Sequence, residues 1–413
     1  MDSVPAPHRL DVTGGCPHAA NAALLARGPV AQVVLPADVP AIAVLGHAEL
    51  KAFLADPDVA KDPHHFAALQ RGEIPEGWPL TLFCSVEGMA NRDGSDHRRL
   101  RRLVGEAFTP GRVAALRPRI TKLTEKLLDQ VGAAASTSGE GIVDVRQQLS
   151  VPLPLEVIGE LMGIPQEHRD PLHDLSVRIV ATQAEPAETL TANLEMATLM
   201  ATVVAAKAQQ PGDDLISALL AARDGDDRLT QEELIGTLIV LIVAGHDTTT
   251  HLVTNAIRAL CTHREQLALV RSGQASWEDV VEETLRWDAP VSYFPFRYPV
   301  KDITVGGTEL PAGTPVLAAY SAAGRDRRAF GPDADRFDVT RSRRPGAARH
   351  ISFGHGPHFC LGAPLARLEA SVALERLFAR WPDLDIVASN DELGRYPTFV
   401  GNSVLHLPVR LTP

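Results

Sequence analysis

The sequence predicts a mainly α-helical protein with a small β-rich region, and three observations support this class. Helical patterning dominates from about residue 96 to residue 290. Short β-branched runs lie near the two ends of the chain, where Gly- and Pro-containing turns separate them. Repeats and low-complexity tracts are absent, and the breaks between helical segments are short. We therefore expect one domain over residues 1–413, with residues 1–18 as a loosely ordered tail.

The β-rich region is expected to consist of small antiparallel pieces. Their predicted strands are 31–35 with 41–44, 303–305 with 314–318, and 403–410. Polar breaks predict surface loops at 135–141, 209–214, 223–228 and 341–346.

Composition limits the class of protein. Hydrophobic residues make up 45% and charged residues 22%, which is typical of a folded globular chain. The formal net charge is −11, which argues against binding to nucleic acid or to an anionic membrane surface. The near-apolar stretch 234–245 is too short to span a bilayer, and the N-terminal residues do not resemble a signal peptide. Four cysteines without a CxxC pair favour a reducing compartment, so we expect a cytoplasmic enzyme.

One long helix is predicted to begin at Thr230. Thr230 and Glu233 form a capping-box sequence, an apolar run follows, and no proline interrupts residues 231–263. Its middle nevertheless contains Gly245, Asp247 and Thr248, which are poor helix formers. A local conflict of this kind in a strong helix indicates function.

A second signal is the segment FGHGPHFCLG, which runs from Phe353 to Gly362 and precedes a helical pattern. A cysteine directly before a helix, here Cys360, faces the positive end of the helix dipole and free backbone N–H groups, which favour the thiolate. The glycines would permit tight turns and a close approach to a flat ligand. A thiolate held in this way is a good axial ligand for haem iron.

Three other interpretations of this segment are open from its residues alone. A lone cysteine is most often a small buried core residue. His355, His358 and Cys360 offer three zinc ligands, but a Gly-Pro turn gives them poor geometry and no second cluster completes a site. A dinucleotide loop would require a third glycine and a preceding parallel strand, and both are missing.

The pattern Phe353-x-x-Gly356-x-x-x-Cys360-x-Gly362 resembles the haem-binding signature of the cytochrome P450 superfamily, and the chain as a whole resembles its soluble actinobacterial members. Further family motifs follow the expected chain order: His97-x-x-x-Arg101, Ala244–Thr248, Glu283-x-x-Arg286 and Asp335-Arg336-Phe337. The resemblance implies the cytochrome P450 fold, a helical triangular prism with a small β-rich region. It also implies haem b as cofactor, with Cys360 as the iron ligand.

The resemblance implies roles for further residues. Asp247 and Thr248 would deliver protons for oxygen activation, and Gly245 beside Ala244 would loosen the helix there. The expected donors to the two haem propionates are His97, Arg101, Arg297 and His355. Glu283, Arg286 and Arg336 would form a buried structural group.

The resemblance also places the segments that surround a substrate. The side chains expected to contact it are mostly apolar: Trp78, Phe83, Val240, Ala244, Val291, Phe294, Phe399 and Val400. They predict a hydrophobic substrate such as a macrolide, terpenoid or steroid, with no charged anchor.

The activity implied is insertion of one atom of dioxygen into that substrate in secondary metabolism, with electrons from NAD(P)H through a ferredoxin reductase and a ferredoxin. The alternatives are the same haem chemistry used for oxidative coupling or desaturation, and a non-catalytic haem-thiolate ligand-binding protein. Two arginine clusters form either solvated surface or a docking face for an acidic ferredoxin. Their members are Arg92, Arg98, Arg99, Arg101, Arg102 and Arg112 in one, and Arg341, Arg343, Arg344 and Arg349 in the other. A monomer that binds neither nucleic acid nor membrane is expected.

Overall fold

Helices account for most of the computed structural model, which describes residues 6–137, 139–221 and 229–411. The predicted loop at 223–228 lies outside these residues. In chain order the helices are α1 (Pro17–Leu25), α2 (His47–Ala55), α3 (Ala67–Gln70), α4 (Leu82–Ser85), α5 (Gly94–Gly105), α6 (Pro110–Ala115), α7 (Arg117–Thr137), α8 (Pro152–Met162), α9 (Arg169–Val180), α10 (Pro186–Gln209), α11 (Leu215–Ala221), α12 (Gln231–Thr262), α13 (Arg264–Arg271), α14 (Trp277–Trp287), α15 (Tyr320–Ala323), α16 (Arg327–Phe330) and α17 (Ala363–Arg380).

The strands are short. They are β1 (His8–Arg9), β2 (Val30–Val34), β3 (Pro40–Val44), β4 (Val59–Ala60), β5 (Ile142–Asp144), β6 (Tyr293–Pro299), β7 (Ile303–Val305), β8 (Thr308–Leu310), β9 (Val316–Ala319), β10 (Asp385–Ile386) and β11 (Pro408–Arg410). The largest sheet has the order β1-β2-β3-β9-β6-β4, and smaller sheets have the orders β10-β11-β5 and β7-β8.

The strand predictions were correct in part. The antiparallel pairing of β2 with β3 is confirmed. The partner predicted for β7 was wrong, because β7 pairs with β8 across the turn at Gly306 and Gly307, which both have positive φ. The segment predicted to pair with it contains β9, which lies instead between β3 and β6. A two-residue Gly-Gly turn allows β7 to pair with β8, the next strand in the chain, and this hairpin forms in place of the predicted pairing with the segment of β9.

The helix α12 is the centre of the fold, and it begins as the sequence predicted. The Thr230 side chain accepts the backbone N–H of Glu233, and the Glu233 side chain accepts the N–H of Thr230. α12 packs against α8, α10, α14 and α17, which come from both halves of the chain. Its length and apolar composition would suit a membrane span, but 72% of its most apolar window is buried in the fold. The helix is therefore a core helix.

The helix α10 meets the same criterion of length and composition, with 33% of its window buried. It packs on α9 and α12 and exposes Leu194.

The structure differs from the loose tail expected over residues 1–18. Strand β1 pairs with β2 in parallel, and Leu10 is buried. In α1 the His18 Nε2 lies 2.8 Å from Asp288 Oδ1, at the end of α14. From residue 8 onward the N-terminal segment is therefore attached to the fold.

All four cysteines are unpaired. Cys84 and Cys261 are buried, and burial raises the pKa of their thiols to about 11 and about 12. Cys16 is exposed at the start of α1.

Candidate active site

Cys360 lies just before α17, and local hydrogen bonds fix its backbone and its sulfur. Its N–H donates to the carbonyl of Phe353 at 2.8 Å, which closes the loop that began there. The amides of Gly362 and Ala363 donate to its sulfur. The cysteine therefore faces the N-terminal end of a long helix, as the sequence predicted.

The electrostatic balance at Cys360 differs from the expectation. Desolvation raises the pKa of the thiol, although the residue itself is exposed, and the two amides, together with the charge of Arg101, oppose this rise. A bound metal ion deprotonates a coordinating thiol, so iron would hold Cys360 as the thiolate.

The loop glycines serve turns and protein packing. Gly356 has φ +73°, and a Cβ there would lie 2.6 Å from the carbonyl oxygen of Leu54 at the end of α2. Its close approach is thus to α2, whereas the sequence suggested a flat ligand. At Gly362, φ is −80° and a Cβ would lie 4.0 Å from Cys360 Sγ.

Three of the predicted propionate donors surround the loop with unused hydrogen-bonding capacity. Arg297 is 6% exposed, and its side-chain hydrogen bond goes to the carbonyl of the adjacent Phe296 at 3.2 Å. The buried Nε2 of His97 has no hydrogen-bond partner in the described part of the chain. Arg101 donates to the carbonyl of Phe359 at 2.6 Å. Desolvation lowers the pKa of both Arg297 and His97.

The fourth predicted donor, His355, is replaced by His358 in this cluster. The rings of His358 and His97 lie 4.1 Å apart, whereas no hydrogen bond joins the His355 side chain to the described residues. His358 Nε2 also lies 3.0 Å from Asp93 Oδ1. The turn at 356–358 directs one histidine inward, and the motif spacing did not show which of the two it would be.

The buried ion pair of α14 is confirmed, but its third arginine was predicted at the wrong residue. Arg286 donates to both oxygens of Glu283, at 2.6 and 2.8 Å. Arg341, which is also buried, donates to Glu283 Oε1 at 3.3 Å. Arg336 is exposed and contributes only its carbonyl, which accepts from Arg286 and from Arg341. Arg341 therefore occupies the place expected for Arg336.

The middle of α12 presents Ala244 and Thr248 to a cavity. They lie one turn apart, and Thr248 Oγ1 donates to the carbonyl of Ala244 at 2.6 Å. The helix continues without a break through Gly245, so the loosening expected at this glycine is not seen. A Cβ at Gly245 would lie 3.3 Å from Ile158, which shows that the glycine serves the contact with α8.

Asp247 is buried behind this surface. Tyr396 Oη donates to its Oδ2 at 3.4 Å, and His246 Nδ1 lies 3.1 Å from its Oδ1. Burial alone would raise the pKa of Asp247, but the interactions with His246, His251 and His173 lower it overall. Asp247 therefore lies in a buried polar cluster with Tyr396 and three histidines, which the sequence did not reveal.

The cavity between α12 and the β6 region is lined mostly by apolar side chains. Six of the eight predicted substrate contacts line it: Phe83, Val240, Ala244, Val291, Phe294 and Val400. Further lining residues are Leu82, Ala90, Asn91, Val180, Val243, Asp247, Thr248, His251, Pro290, Tyr396, Thr398 and Gly401, together with Lys61. The rings of Phe83 and Phe294 meet edge to face at 5.8 Å.

The other two predicted contacts were wrong. Trp78 is 1% exposed, stacks on Phe296 at 5.7 Å and donates through Nε1 to the carbonyl of Pro36. Phe399 is buried in the same hydrophobic cluster. Both side chains stabilise the sheet region, because large aromatic rings there bury more surface than they would at the cavity.

Lys61 is a charged group at this cavity that the sequence did not reveal. Its Nζ donates to the carbonyl of Pro295 at 3.0 Å and lies 5.1 Å from the ring centroid of Phe294. Desolvation, followed by the charge of Arg297, lowers its pKa well below the usual value. Its amino group thus gives a largely apolar cavity a hydrogen-bond donor beside Phe294.

The two arginine clusters are partly used within the fold. Arg341, Arg343 and Arg344 form ion pairs with acidic residues of their own chain. In the first cluster Arg92 pairs with Glu87 and Asp62, and Arg99 pairs with Glu233. Arg98, Arg112 and Arg349 remain exposed.

These residues fit haem b. Haem b carries two carboxylates. Arg297 is a buried cation and His97 is a buried hydrogen-bond donor, and neither has a carboxylate partner among the described residues. Buried charges in proteins are normally paired, so this pattern requires an anion. The sulfur of Cys360 supplies a ligand suited to haem iron.

The comparisons with known proteins agree with this site. The family model described as Cytochrome P450 matches residues 163–272 and 277–383. The chain belongs to the cytochrome P450 family. Family membership implies a haem-thiolate cofactor, and the P450 is a monooxygenase like its named relatives.

Among these relatives is a 2-hydroxy-5-methyl-1-naphthoate 7-hydroxylase from Streptomyces carzinostaticus. It is 38% identical over 98% of this P450 and 97% of its own length. The structure of CYP154C4 from Streptomyces sp. W2061 superposes with a TM-score of 0.94 at 42% identity, covering 99% of this P450 and 98% of that chain. A testosterone-bound CYP154C4 from Streptomyces sp. ATCC 11861 gives a TM-score of 0.93 at 43% identity, with 99% of each chain covered. The P450 fold predicted from the motifs is therefore confirmed.

Proposed function

We propose that the chain is a single-domain haem-thiolate monooxygenase that inserts one atom of dioxygen into a hydrophobic polycyclic molecule of secondary metabolism. The observation that carries this proposal is the largely apolar cavity that Ala244 and Thr248 of α12 line together with Phe83 and Phe294. A largely apolar cavity with a few convergent polar groups is typical of a small-molecule site.

The haem would be held by Cys360 and by the basic groups around its loop. When bound, haem b with a thiolate ligand supplies the chemistry that activates dioxygen. Arg297, His97, Arg101 and His358 would neutralise and orient the two propionates, because each offers a donor there. On the thiolate side, the guanidinium carbon of Arg367 lies 4.5 Å from the centroid of the Phe353 ring, which fixes the start of the loop.

Asp247 and Thr248 would deliver protons to the cavity. Thr248 Oγ1 gives its proton to the carbonyl of Ala244, so its lone pairs can accept from a water molecule in the cavity. Asp247 is the buried neighbour of Thr248 in α12, and nearby histidines lower the pKa of its carboxyl; it would take up a proton and pass it on. A protein that only binds ligands has no need of this pair.

The proposed substrate is a steroid-like molecule with one carbonyl or carboxylate oxygen. Its apolar part would contact Phe83, Phe294 and the valines that line the cavity. Lys61, whose Nζ now donates to the carbonyl of Pro295, would donate to that oxygen, so this proposal includes an anchor that the sequence did not predict. The testosterone in a 43%-identical CYP154C4 and the naphthoate of a 38%-identical hydroxylase both carry such an oxygen.

The electrons are proposed to come from NAD(P)H through a ferredoxin reductase and a ferredoxin, to a cytoplasmic monomer. Arg98, Arg112 and Arg349 are the exposed cations that remain for an acidic ferredoxin. Steering by opposite charges weakens with salt, so turnover with a ferredoxin is expected to fall between low and high ionic strength. Turnover that does not depend on salt would remove the support for this docking face.

The first test is the visible spectrum of the purified protein, reduced with dithionite and exposed to carbon monoxide. We expect the long-wavelength Soret band of a thiolate-ligated ferrous–CO haem, and its loss in Cys360→Ser. A short-wavelength band in the wild type would exclude the thiolate ligand, and a folded protein without haem would refute the whole proposal.

The second test measures the spin-state change of the haem on titration with testosterone. Lys61→Met is expected to weaken binding about tenfold, the loss of one hydrogen bond to a charged donor. Lys51→Met is the control, because Lys51 is exposed on α2. Equal affinities of wild type and Lys61→Met would exclude the anchor.

A further inference from the structure

A cluster of potential metal ligands that includes Asp247 lies where α9 packs against α12. His173 of α9 meets His246 and Asp247 of α12, and one ligand atom from each of the three lies within 4.8 Å of the other two. The two imidazole rings meet edge to face at 4.8 Å. His246 Nδ1 lies 3.1 Å from Asp247 Oδ1. Two neighbouring helices thus bring two imidazoles and one carboxylate together.

The imidazoles of this cluster are not satisfied by the protein. His246 is 0% exposed, and neither of its ring nitrogens makes a well-directed hydrogen bond to the described residues. Nδ1 of His173 is likewise buried and unpartnered among them. Buried polar atoms in folded proteins are nearly always paired. An imidazole with both nitrogens unpartnered, beside a second imidazole with an unpartnered nitrogen, indicates a group that binds between the two rings.

We propose that His173, His246 and Asp247 bind one divalent transition-metal ion, and that Zn²⁺ fits the donor set best. Zinc takes imidazole nitrogen and carboxylate oxygen, commonly three protein ligands and a water. Calcium and magnesium need an oxygen shell, which two histidines do not supply. The cluster has no thiolate, so a soft metal such as Cu(I) is disfavoured.

The geometry needs only a small adjustment. Ligand atoms in a tetrahedral zinc site lie about 3.3 Å apart, given bonds of roughly 2.0–2.1 Å. Rotation of the half-buried His173 side chain would bring a spread of up to 4.8 Å toward that value. Tyr396 donates to the second oxygen of Asp247 at 3.4 Å, and ligand carboxylates are usually fixed in this way.

A metal here would occupy the carboxylate that the proposed function uses for proton delivery. Zinc bound to Asp247 holds the charge of the carboxylate, so Asp247 would no longer accept and release protons. The ion is therefore a reversible inhibitor of oxygen activation. This consequence rests on the proposed function, whereas the binding of the metal does not.

The binding test uses the haem-loaded enzyme, calorimetric titration with Zn²⁺, and X-ray absorption at the zinc edge, which haem iron does not obscure. We expect one ion per chain, with two imidazole ligands about 2.0 Å from zinc. His173→Ala should bind at least tenfold more weakly, because one of three protein ligands is lost. His65→Ala is the matched control, since His65 is exposed and remote in sequence from the cluster.

The outcomes separate the two proposals. Equal affinity of wild type and His173→Ala, or a zinc edge without imidazole, would overturn the site. His173 is half-buried, so its variant tests the site without a change in the core at His246, and its haem content and unfolding midpoint are checked alongside. Zinc is expected to raise peroxide and lower product in wild type but much less in His173→Ala. Zinc binding without an effect on peroxide and product would overturn the link to Asp247. A carbon monoxide spectrum without the long-wavelength Soret band would refute the proposed function, whereas the calorimetry would still report whether zinc binds.

Discussion

Arg286 holds Glu283 through two of its guanidinium nitrogens, with Nη2–Oε1 at 2.6 Å and Nε–Oε2 at 2.8 Å, one turn apart on α14. The same guanidinium donates to the carbonyls of Gly324, Ala334 and Arg336. A buried pair of charges is stabilising only when its remaining donors are also satisfied, and here they are. The pair therefore fastens α14 to the segment that leads toward the Cys360 loop.

The first prediction separates Arg341 from Arg336. Arg341→Lys should lower the free energy of unfolding by about 3 kcal/mol, because an ammonium group cannot replace the several guanidinium donors of this buried partner of Glu283. Arg336→Lys, an exposed side chain, should change it by less than about 0.5 kcal/mol. Denaturant titration of the two variants measures the difference. The reverse order would restore Arg336 to the place that the motif suggested.

The second prediction concerns Asp93, which joins the Cys360 loop to the segment before α3. Its Oδ2 accepts the amides of Lys61 and Asp62 at 2.6 and 2.8 Å, and its Oδ1 faces His358. Asp93→Ala leaves these donors without an acceptor. The free energy of unfolding should therefore fall by about 2–4 kcal/mol, and the haem content should fall with it. Asp96→Ala, an exposed position in the first turn of α5, should stay within about 1 kcal/mol. Full haem retention in Asp93→Ala would contradict this role.

The third prediction is a pH dependence at Glu369 on α17. Burial raises the pKa of this carboxyl to about 8, and its Oε2 has no partner in the described structure. Between its unfolded pKa near 4.5 and this value, the folded state binds more protons than the unfolded state, so stability falls as pH rises.

Glu369→Gln should therefore be more stable than the wild type by about 3 kcal/mol at pH 7, and by much less at pH 5. Thermal unfolding midpoints at the two pH values check this, with Glu375→Gln on the same helix as the control. A gain that is the same at both pH values would show that the carboxyl titrates normally.

The fourth prediction contrasts two glycines of α12. A Cβ at Gly236 would overlap the carbonyl oxygen of Glu87, which is backbone and cannot rotate away. Gly236→Ala should cost about 3 kcal/mol, whereas Gly245→Ala meets only the movable end of Ile158 and should be neutral or slightly stabilising. Unfolding midpoints of the two variants decide the matter; a large loss in Gly245→Ala would show that the helix needs freedom at that position.

The fifth prediction tests Thr248. Thr248→Val keeps the shape of the side chain but removes the hydroxyl, so more NAD(P)H should end as hydrogen peroxide and less as product, by roughly tenfold or more. Thr248→Ser keeps the hydroxyl and should couple nearly as well as the wild type. Peroxide formed per NAD(P)H oxidised is the measurement, and unchanged coupling in Thr248→Val would remove Thr248 from proton delivery.

The features that the sequence predicted well are local ones. The caps of α12 and the position of Cys360 before α17 depend on residues only a few positions apart, so their pattern is visible in the chain. The pairing of Glu283 with Arg286 follows from helical spacing for the same reason.

The features that the sequence did not show depend on contacts between distant segments. Trp78 and Phe294 are both aromatic, and neither lies in a regular hydrophobic pattern. The packing of the sheet region decides that Trp78 is a core residue and that Phe294 lines the cavity. Lys61 and His173 lie in segments without any motif, and their partners are far away along the chain. Strand β6 contains two prolines, which masks its pattern, because proline is disfavoured in the middle of a sheet.

The arrangement of the cysteines has a practical consequence. Cys84 and Cys261 are buried, which raises the pKa of their thiols, and in the haem-loaded protein Cys360 would be bound to the iron. A maleimide dye should therefore attach at Cys16 alone, without any engineered site. Since haem quenches nearby fluorophores, a dye at that point would report, in real time, whether the N-terminal helix stays docked through His18 while substrate enters and leaves.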